Sequence, residues 1–133
     1  MQFSRKIDYA CILLASLRKT HTSGLFVSLA VIAREQHLPL PFLEKLAGTL
    51  RRRGVLDARK GADGGYRLKR NPKTLTIKEI IDIFEEPPVM RCLKSSDPEQ
   101  FCSLAPFCPT RSRWREIEEK VDRVFAHVTV DSL

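Results

Sequence analysis

The chain has 133 residues, enough for one domain with a real core, or for a compact domain carrying an appended helix. Its 23 lysines and arginines outnumber 16 aspartates and glutamates, for a net charge of +7. The opening MQFSRKIDYACILLASLRK interleaves charge with apolar residues, unlike a signal peptide or membrane span. A cytoplasmic protein is therefore the expectation, and there stable disulfides are not favoured.

The spacing of Phe3, Ile7, Ala10, Cys11, Leu14 and Leu17 predicts an amphipathic helix over residues 4–19, with Ser4 as its cap. On that stripe Cys11 reads as a buried structural thiol. Thr22-Ser23-Gly24 breaks the pattern. Ser28 then caps a short helix over 29–36, and His37-Leu38-Pro39-Leu40 forms a turn. A second helix runs from Pro41 to about Arg53, with proline in a first turn that lacks a use for its missing N–H. Phe42, Leu43, Leu46 and Leu50 point to the core. Pro41, Glu44, Lys45, Gly48 and Arg52 form the opposite face. Two short helices joined by a tight turn, the second with a polar and basic outer face, make a helix-turn-helix.

Gly54 ends that helix. Residues 55–59 and 65–69 read as an antiparallel pair, joined by the glycine-rich turn Lys60-Gly61-Ala62-Asp63-Gly64. A helix-turn-helix followed by such a hairpin is a winged helix. Charge concentrates in the same place. Between Pro41 and Lys73 there are ten basic residues, among them Arg51, Arg53 and Arg67, against Glu44, Asp57 and Asp63. A localised positive face of this kind is the footprint of a polyanion binder.

Thr76-Ile77-Lys78-Glu79 is a capping box opening a helix to about Phe84, which Glu85-Glu86-Pro87-Pro88 stops. A loop rich in proline, serine and charge follows. It carries three of the four cysteines, Cys92, Cys102 and Cys108, spaced C-x9-C-x5-C. A last helix spans 110–127. Its apolar stripe of Trp114, Ile117, Val121, Val124 and Val128 suits a dimer seam, or packing back on its own domain. The spacing lacks zinc knuckles and the C-x-x-C of thiol oxidoreductases, and His21, His37 and His127 fall in unrelated places. Two readings stay open: thiolates holding an iron–sulfur cluster, or a thiol redox switch. No substrate pocket or catalytic pair is visible, so neither an enzyme nor a small-molecule substrate is expected.

The sequence resembles the Rrf-two family of bacterial winged-helix regulators along nearly its whole length. The likeness rests on Ser4, Lys6, Tyr9 and Ala10, on Leu40-Pro41-Phe42-Leu43-Glu44-Lys45-Leu46, and on Leu50-Arg51-Arg52-Arg53-Gly54-Val55-Leu56. It continues through the wing Lys60-Gly61-Ala62-Asp63-Gly64-Gly65-Tyr66 and the three cysteines followed by Trp114. The resemblance implies a mainly α fold with a small β-hairpin: a winged helix-turn-helix DNA-binding domain (residues 1–75), then a linker helix, a cysteine loop (92–108) and a long C-terminal dimerisation helix (110–127) within residues 76–133.

The function so implied is a homodimeric regulator of transcription, a repressor by expectation, that binds double-stranded operator DNA. Its control element would be an iron–sulfur cluster (2Fe–2S or 4Fe–4S) reporting nitric oxide, redox poise or iron. The alternative is a cluster-free regulator whose thiols sense oxidants directly. By resemblance Cys92, Cys102 and Cys108 are the cluster thiolates. Where cluster-assembly regulators carry a histidine three positions after the last cysteine, this chain has Arg111, which does not ligate. Asp8 matches the partner-subunit aspartate used by nitric-oxide sensors of the family. The gap between Cys92 and Cys102 is longer than is usual in the family. In the winged-helix geometry Glu44, Lys45 and Arg52 approach base edges, Arg59 and Lys60 reach phosphates or a narrow minor groove, and Arg51, Arg53 and Arg67 contact the backbone.

Overall fold

The computed structural model describes residues 3–84 and 89–133, so the expected helix stop at Glu85–Pro88 lies outside the described residues. Helix α1 (Arg5–Arg18) buries Ile7, Ala10, Leu13, Leu14 and Leu17, the stripe that steps of three and four produce on one helical face. Leu13, absent from the expected stripe, is fully buried, whereas Cys11 is half-buried at the edge of a smaller apolar cluster with Ile7, Ile77 and Ile81. Ser4 occupies the N-cap position without capping: its hydroxyl is buried and makes no hydrogen bond.

Helix α2 (Leu29–Gln36) also begins without a side-chain cap, because Ser28 contributes only its carbonyl to the first turn. It ends at His37 in the left-handed region (φ 54°), which sends the chain through residues 37–39 into α3 (Leu40–Arg52). Helix α3 buries Leu43, Leu46, Ala47 and Leu50. Phe42 is only partly buried, edge-on to Tyr9 with ring centroids 5.5 Å apart. Strands β1 (Leu56–Arg59) and β2 (Gly65–Leu68) form the antiparallel hairpin, with Leu56 opposite Leu68 and Arg59 opposite Gly65.

Helix α4 (Ile77–Ile83) starts with the expected capping box: the Glu79 N–H donates to the Thr76 hydroxyl, and the Thr76 N–H donates to the Glu79 carboxylate at 2.9 Å. Burial alone would push the Glu79 carboxyl up. The Thr76 donors and Arg70, 2.6 Å away, hold it below the usual carboxylate range. The cysteine region, expected as a loop, holds one helical turn, α5 (Arg91–Lys94), and two 3₁₀ turns at Pro98–Gln100 and Ala105–Phe107. Helix α6 (Arg111–His127) follows. After it the chain folds back: the Ile77 N–H donates to the Val128 carbonyl and the Val130 N–H to the Leu75 carbonyl, both at 2.9 Å. Val130 thereby enters the main core beside Leu75 and Ile80. No helix among the described residues is long and apolar enough to cross a membrane.

Candidate nucleic-acid interface and thiol segment

Helical periodicity that buries the leucines of α3 leaves Pro41, Glu44, Lys45, Arg51 and Arg52 exposed. Arg52 donates to the Thr49 hydroxyl at 3.1 Å, which lays its guanidinium along the helix surface. Arg53, also exposed, forms the C-cap. The wing stands next to this face. Glu44 and Leu40 from α3 line one groove of about 450 Å³ together with Ser28, Gly61, Gly64, Gly65 and Tyr66. Recognition-type helix and wing tip therefore open toward the same space.

The wing is tied to the helices by main chain. Val27 N–H donates to the Tyr66 carbonyl at 2.8 Å and Tyr66 N–H returns a bond to Val27 at 2.9 Å. That approach requires glycine at position 65, where φ is +141° and a Cβ would stand 2.2 Å from the Val27 carbonyl oxygen. Gly64 is equally constrained, since its Cβ would meet the Arg59 carbonyl oxygen at 2.2 Å. Gly65→Ala should destabilise the protein by at least about 2 kcal/mol, the cost of a strained backbone plus a main-chain collision. A shift of the urea midpoint to lower concentration measures it; an unchanged midpoint would mean the wing is not held this way.

Arg59 and Lys60 are exposed at the wing's edge. Arg67 is also open to solvent, its side chain 38% exposed, but it is engaged by neighbours. Its guanidinium lies 3.4 Å from the Asp57 carboxylate, donates to the Gly24 carbonyl at 3.2 Å, and sits 4.5 Å from the ring centre of Phe26. Arg59 shares that ring, its guanidinium carbon 4.3 Å from the centroid. No pattern in the sequence pointed to Phe26.

The three cysteines of the second region are all half-buried, on a segment where Ala105 alone is buried. Arg111, at the head of α6, fastens both ends of it. Its side chain donates to the Cys92 carbonyl at 3.2 Å, and its backbone N–H to the Cys108 carbonyl at 3.4 Å. The Cys108 sulfur lies 3.5 Å from the Thr110 hydroxyl. That hydrogen bond, the Thr110 N–H and the Arg111 charge hold its thiol below the ordinary range. Burial, then the charge of Asp8, push the Cys11 thiol up to about 11. Since only the thiolate attacks, iodoacetamide at neutral pH should modify Cys108 at least tenfold faster than Cys11. Cys11 should gain reactivity steadily as pH rises toward 11. Mass spectrometry of timed samples reads both rates, and equal rates would contradict these environments.

Among the described residues no three His, Cys, Asp or Glu side chains converge as a metal-binding group. Asp8 is exposed in the first turn of α1, and the thiols of Cys92, Cys102 and Cys108 are not gathered on one point. The segment is nonetheless anchored. Glu118, the one buried residue of α6 and only 4 % exposed, faces Lys94 of α5 at 3.8 Å. Lys94 also lies 3.4 Å from Asp122, which Lys78 of α4 approaches at 3.8 Å. Burial pushes the Glu118 carboxyl up, opposed by Lys94. This charge chain runs from the thiol segment through α6 to α4. Of the expected apolar stripe, Trp114, Ile117 and Val124 of α6 and Val128 just past its end are exposed in the single chain, while Val121 is half-buried.

Residues 3–133 match the Rrf2 family model, described as an iron-dependent transcriptional regulator. The chain belongs to the Rrf2 family of transcriptional regulators. It is similar to the regulator IscR of Cereibacter sphaeroides, 39% identical over 87 residues, which is 65% of this chain and 56% of that protein. The match thus spans little more than half of that relative's length. CymR of Bacillus subtilis is 31% identical over 135 residues, covering 100% of this chain and 89% of its own. The structure of B. subtilis CymR superposes with a TM-score of 0.76 at 28% identity, covering 99% of this chain and 95% of that one. That of T. potens IscR gives 0.76 at 27% identity, covering 99% and 85%. The mainly α winged helix-turn-helix architecture expected from the sequence is the one these Rrf2 structures share.

Proposed function

We propose that this Rrf2 protein is a cytoplasmic, homodimeric DNA-binding regulator, a repressor, whose grip on its operator is set by the state of the segment 92–108. The observation that carries the reading is the shared groove of Glu44 with the wing glycines, flanked by exposed Lys45, Arg51, Arg52, Arg59 and Lys60. In the major groove, α3 would present Lys45 and Arg52 to base edges and phosphates. Glu44 would accept from a cytosine amino group, which makes it a residue of discrimination rather than affinity. The wing would add Arg59 and Lys60. The exposed stripe of α6 would form the seam with a second copy, setting the spacing of the two α3 helices.

Glu44→Ala should therefore flatten sequence preference, by about 1–3 kcal/mol between the best duplex and one changed at a single C·G pair. Affinity for unrelated duplex should stay level or rise as a negative charge leaves. Competitive binding of a duplex library reads the preference, and an unaltered preference with lower overall affinity would contradict the assigned role.

Iron–sulfur ligation supplies the control in this reading. Three thiols on one segment, a depressed Cys108 and the nearby cation Arg111 fit the chemistry of an anionic thiolate site. Cys92, Cys102 and Cys108 would hold the cluster, with Asp8 of a second copy as fourth ligand. When bound, such a cluster supplies a centre labile to oxygen and nitric oxide. The chain's own part is mechanical. Lys94, Glu118, Asp122 and Lys78 link the thiol segment to α6 and α4, and α4 packs on α1, which packs on α3, so ordering the segment would reach α3 through α1. A segment can shift such an equilibrium only through its different energy in the two states. Iron and sulfide content with the visible spectrum of anoxically purified protein test this part; a colourless, iron-free product overturns it.

Direct thiol sensing is the second reading. It is favoured by the absence of a gathered metal-binding group among the described residues and by the depressed thiol of Cys108. CymR, the global cysteine regulator of B. subtilis, is among the similar structures. Iron-free protein whose DNA affinity falls with peroxide would select this reading.

A further inference from the structure

Phe26 lies between α1 and α2, outside every element expected to meet DNA. The Val27–Tyr66 bridge gives its segment a strand-like place beside the hairpin. One step along that antiparallel register, Phe26 stands opposite Arg67. Strand alternation puts Asp57 and Arg59 on one face of β1, and Arg67 pairs with Asp57 across the hairpin. The ring thus lies against a face carrying two guanidinium groups, at 4.3 Å from Arg59 and 4.5 Å from Arg67, within cation–π range.

The two arginines are not equivalent. Arg67 is held by Asp57 and by the Gly24 carbonyl, which also offsets the charge repulsion across the ring. Arg59 stays exposed, opposite Gly65, which has no side chain to crowd it. Core packing does not account for the ring. Among the described residues, neighbouring Val27 packs on the main apolar cluster, whereas Phe26 packs on neither cluster.

We propose that Phe26 is a positioning residue for DNA contact: its ring pre-orients the Arg59 guanidinium at the wing's edge. Arg59 then meets a phosphate or narrow minor groove with part of its rotamer freedom already lost, which lowers the ordering cost on binding. The inference rests on the DNA-binding reading above and names a residue that reading does not contain.

The test uses the full-length protein and the duplex it selects from a random library, titrated across a range of salt. Phe26→Leu should bind about two- to fivefold more weakly, the worth of an exposed cation–π contact. Its salt slope should fall toward that of Arg59→Ala, by up to about 0.9. Phe26→Tyr, which keeps the ring, should match the wild type. Phe26→Leu combined with Arg59→Ala should bind no more weakly than Arg59→Ala alone. Losses that multiply independently, or Phe26→Leu binding at wild-type strength, overturn the proposal. Wild-type protein needs no variant for one further check: the Arg59 δ-methylene protons should be shifted upfield by the ring current, and unshifted resonances overturn it. Wild-type protein that selects no duplex overturns the DNA-binding reading as well, which distinguishes the two failures.

Discussion

Replacing Lys45 and Arg52 together by glutamate should weaken operator binding at least about 100-fold, with no loss of folded protein. Both side chains are exposed on α3, one helical face away from Leu43, Leu46, Ala47 and Leu50. Their removal takes nothing from the core, and Arg52 loses only a surface hydrogen bond to Thr49. A contact to a base edge is worth about 1–3 kcal/mol, and each neutralised phosphate adds about 0.9 to the salt slope. Reversal also places two negative charges against the phosphates, so the combined effect exceeds simple truncation. Fluorescence anisotropy at several salt concentrations measures both affinity and slope, while the thermal midpoint reports folding. Operator affinity within a few-fold of wild type would show that α3 is not the reading helix.

The second large effect concerns the thiols. Cys92→Ser, Cys102→Ser and Cys108→Ser should each abolish bound iron, because a hydroxyl is a poor substitute for the soft thiolate that iron–sulfur clusters require. Cys11→Ser should leave iron intact, since that thiol belongs to an apolar cluster on α1 and resists ionisation. Asp8→Ala should retain the iron with a faster loss in air, as expected for a weaker ligand supplied by the second copy. Iron and sulfide assays on anoxic preparations of the five variants and the wild type give the pattern. Equal iron in the three cysteine variants and the wild type would remove the cluster from the account.

The helix-turn-helix and the wing were legible because their signals are local. Leu43, Leu46 and Leu50 mark a helical face by spacing alone, and Thr76 with Glu79 writes its own cap. Glycines at the wing mark a turn before any contact is known. The caps at Ser4 and Ser28 failed for the opposite reason: a serine before a helix is permissive, and tertiary packing decided whether its hydroxyl was used. Glu118 reads as a surface acid in sequence, and only tertiary packing, which brings Lys94 of α5 to 3.8 Å, makes it buried with its charge partly offset. The same holds for Phe26, whose partners Arg59 and Arg67 lie more than thirty residues away. Val130 had no periodic neighbours to announce it, yet it fills the core between Leu75 and the helices. Of the interface, the charges were legible; which of them take partners within the protein was not, as Arg67 with Asp57 and the Gly24 carbonyl illustrates.

What links the halves of the molecule is the claim that sulfur chemistry at residues 92–108 controls the reading head. Operator affinity of one anoxic preparation, measured before and after its iron is stripped by chelator, puts that claim to the most direct test. A change of about tenfold or more, absent in Cys108→Ser, is the expected result, in line with ordinary coupling energies between sites. Identical affinity in the loaded and stripped states would leave the cysteines and the DNA-binding face unconnected.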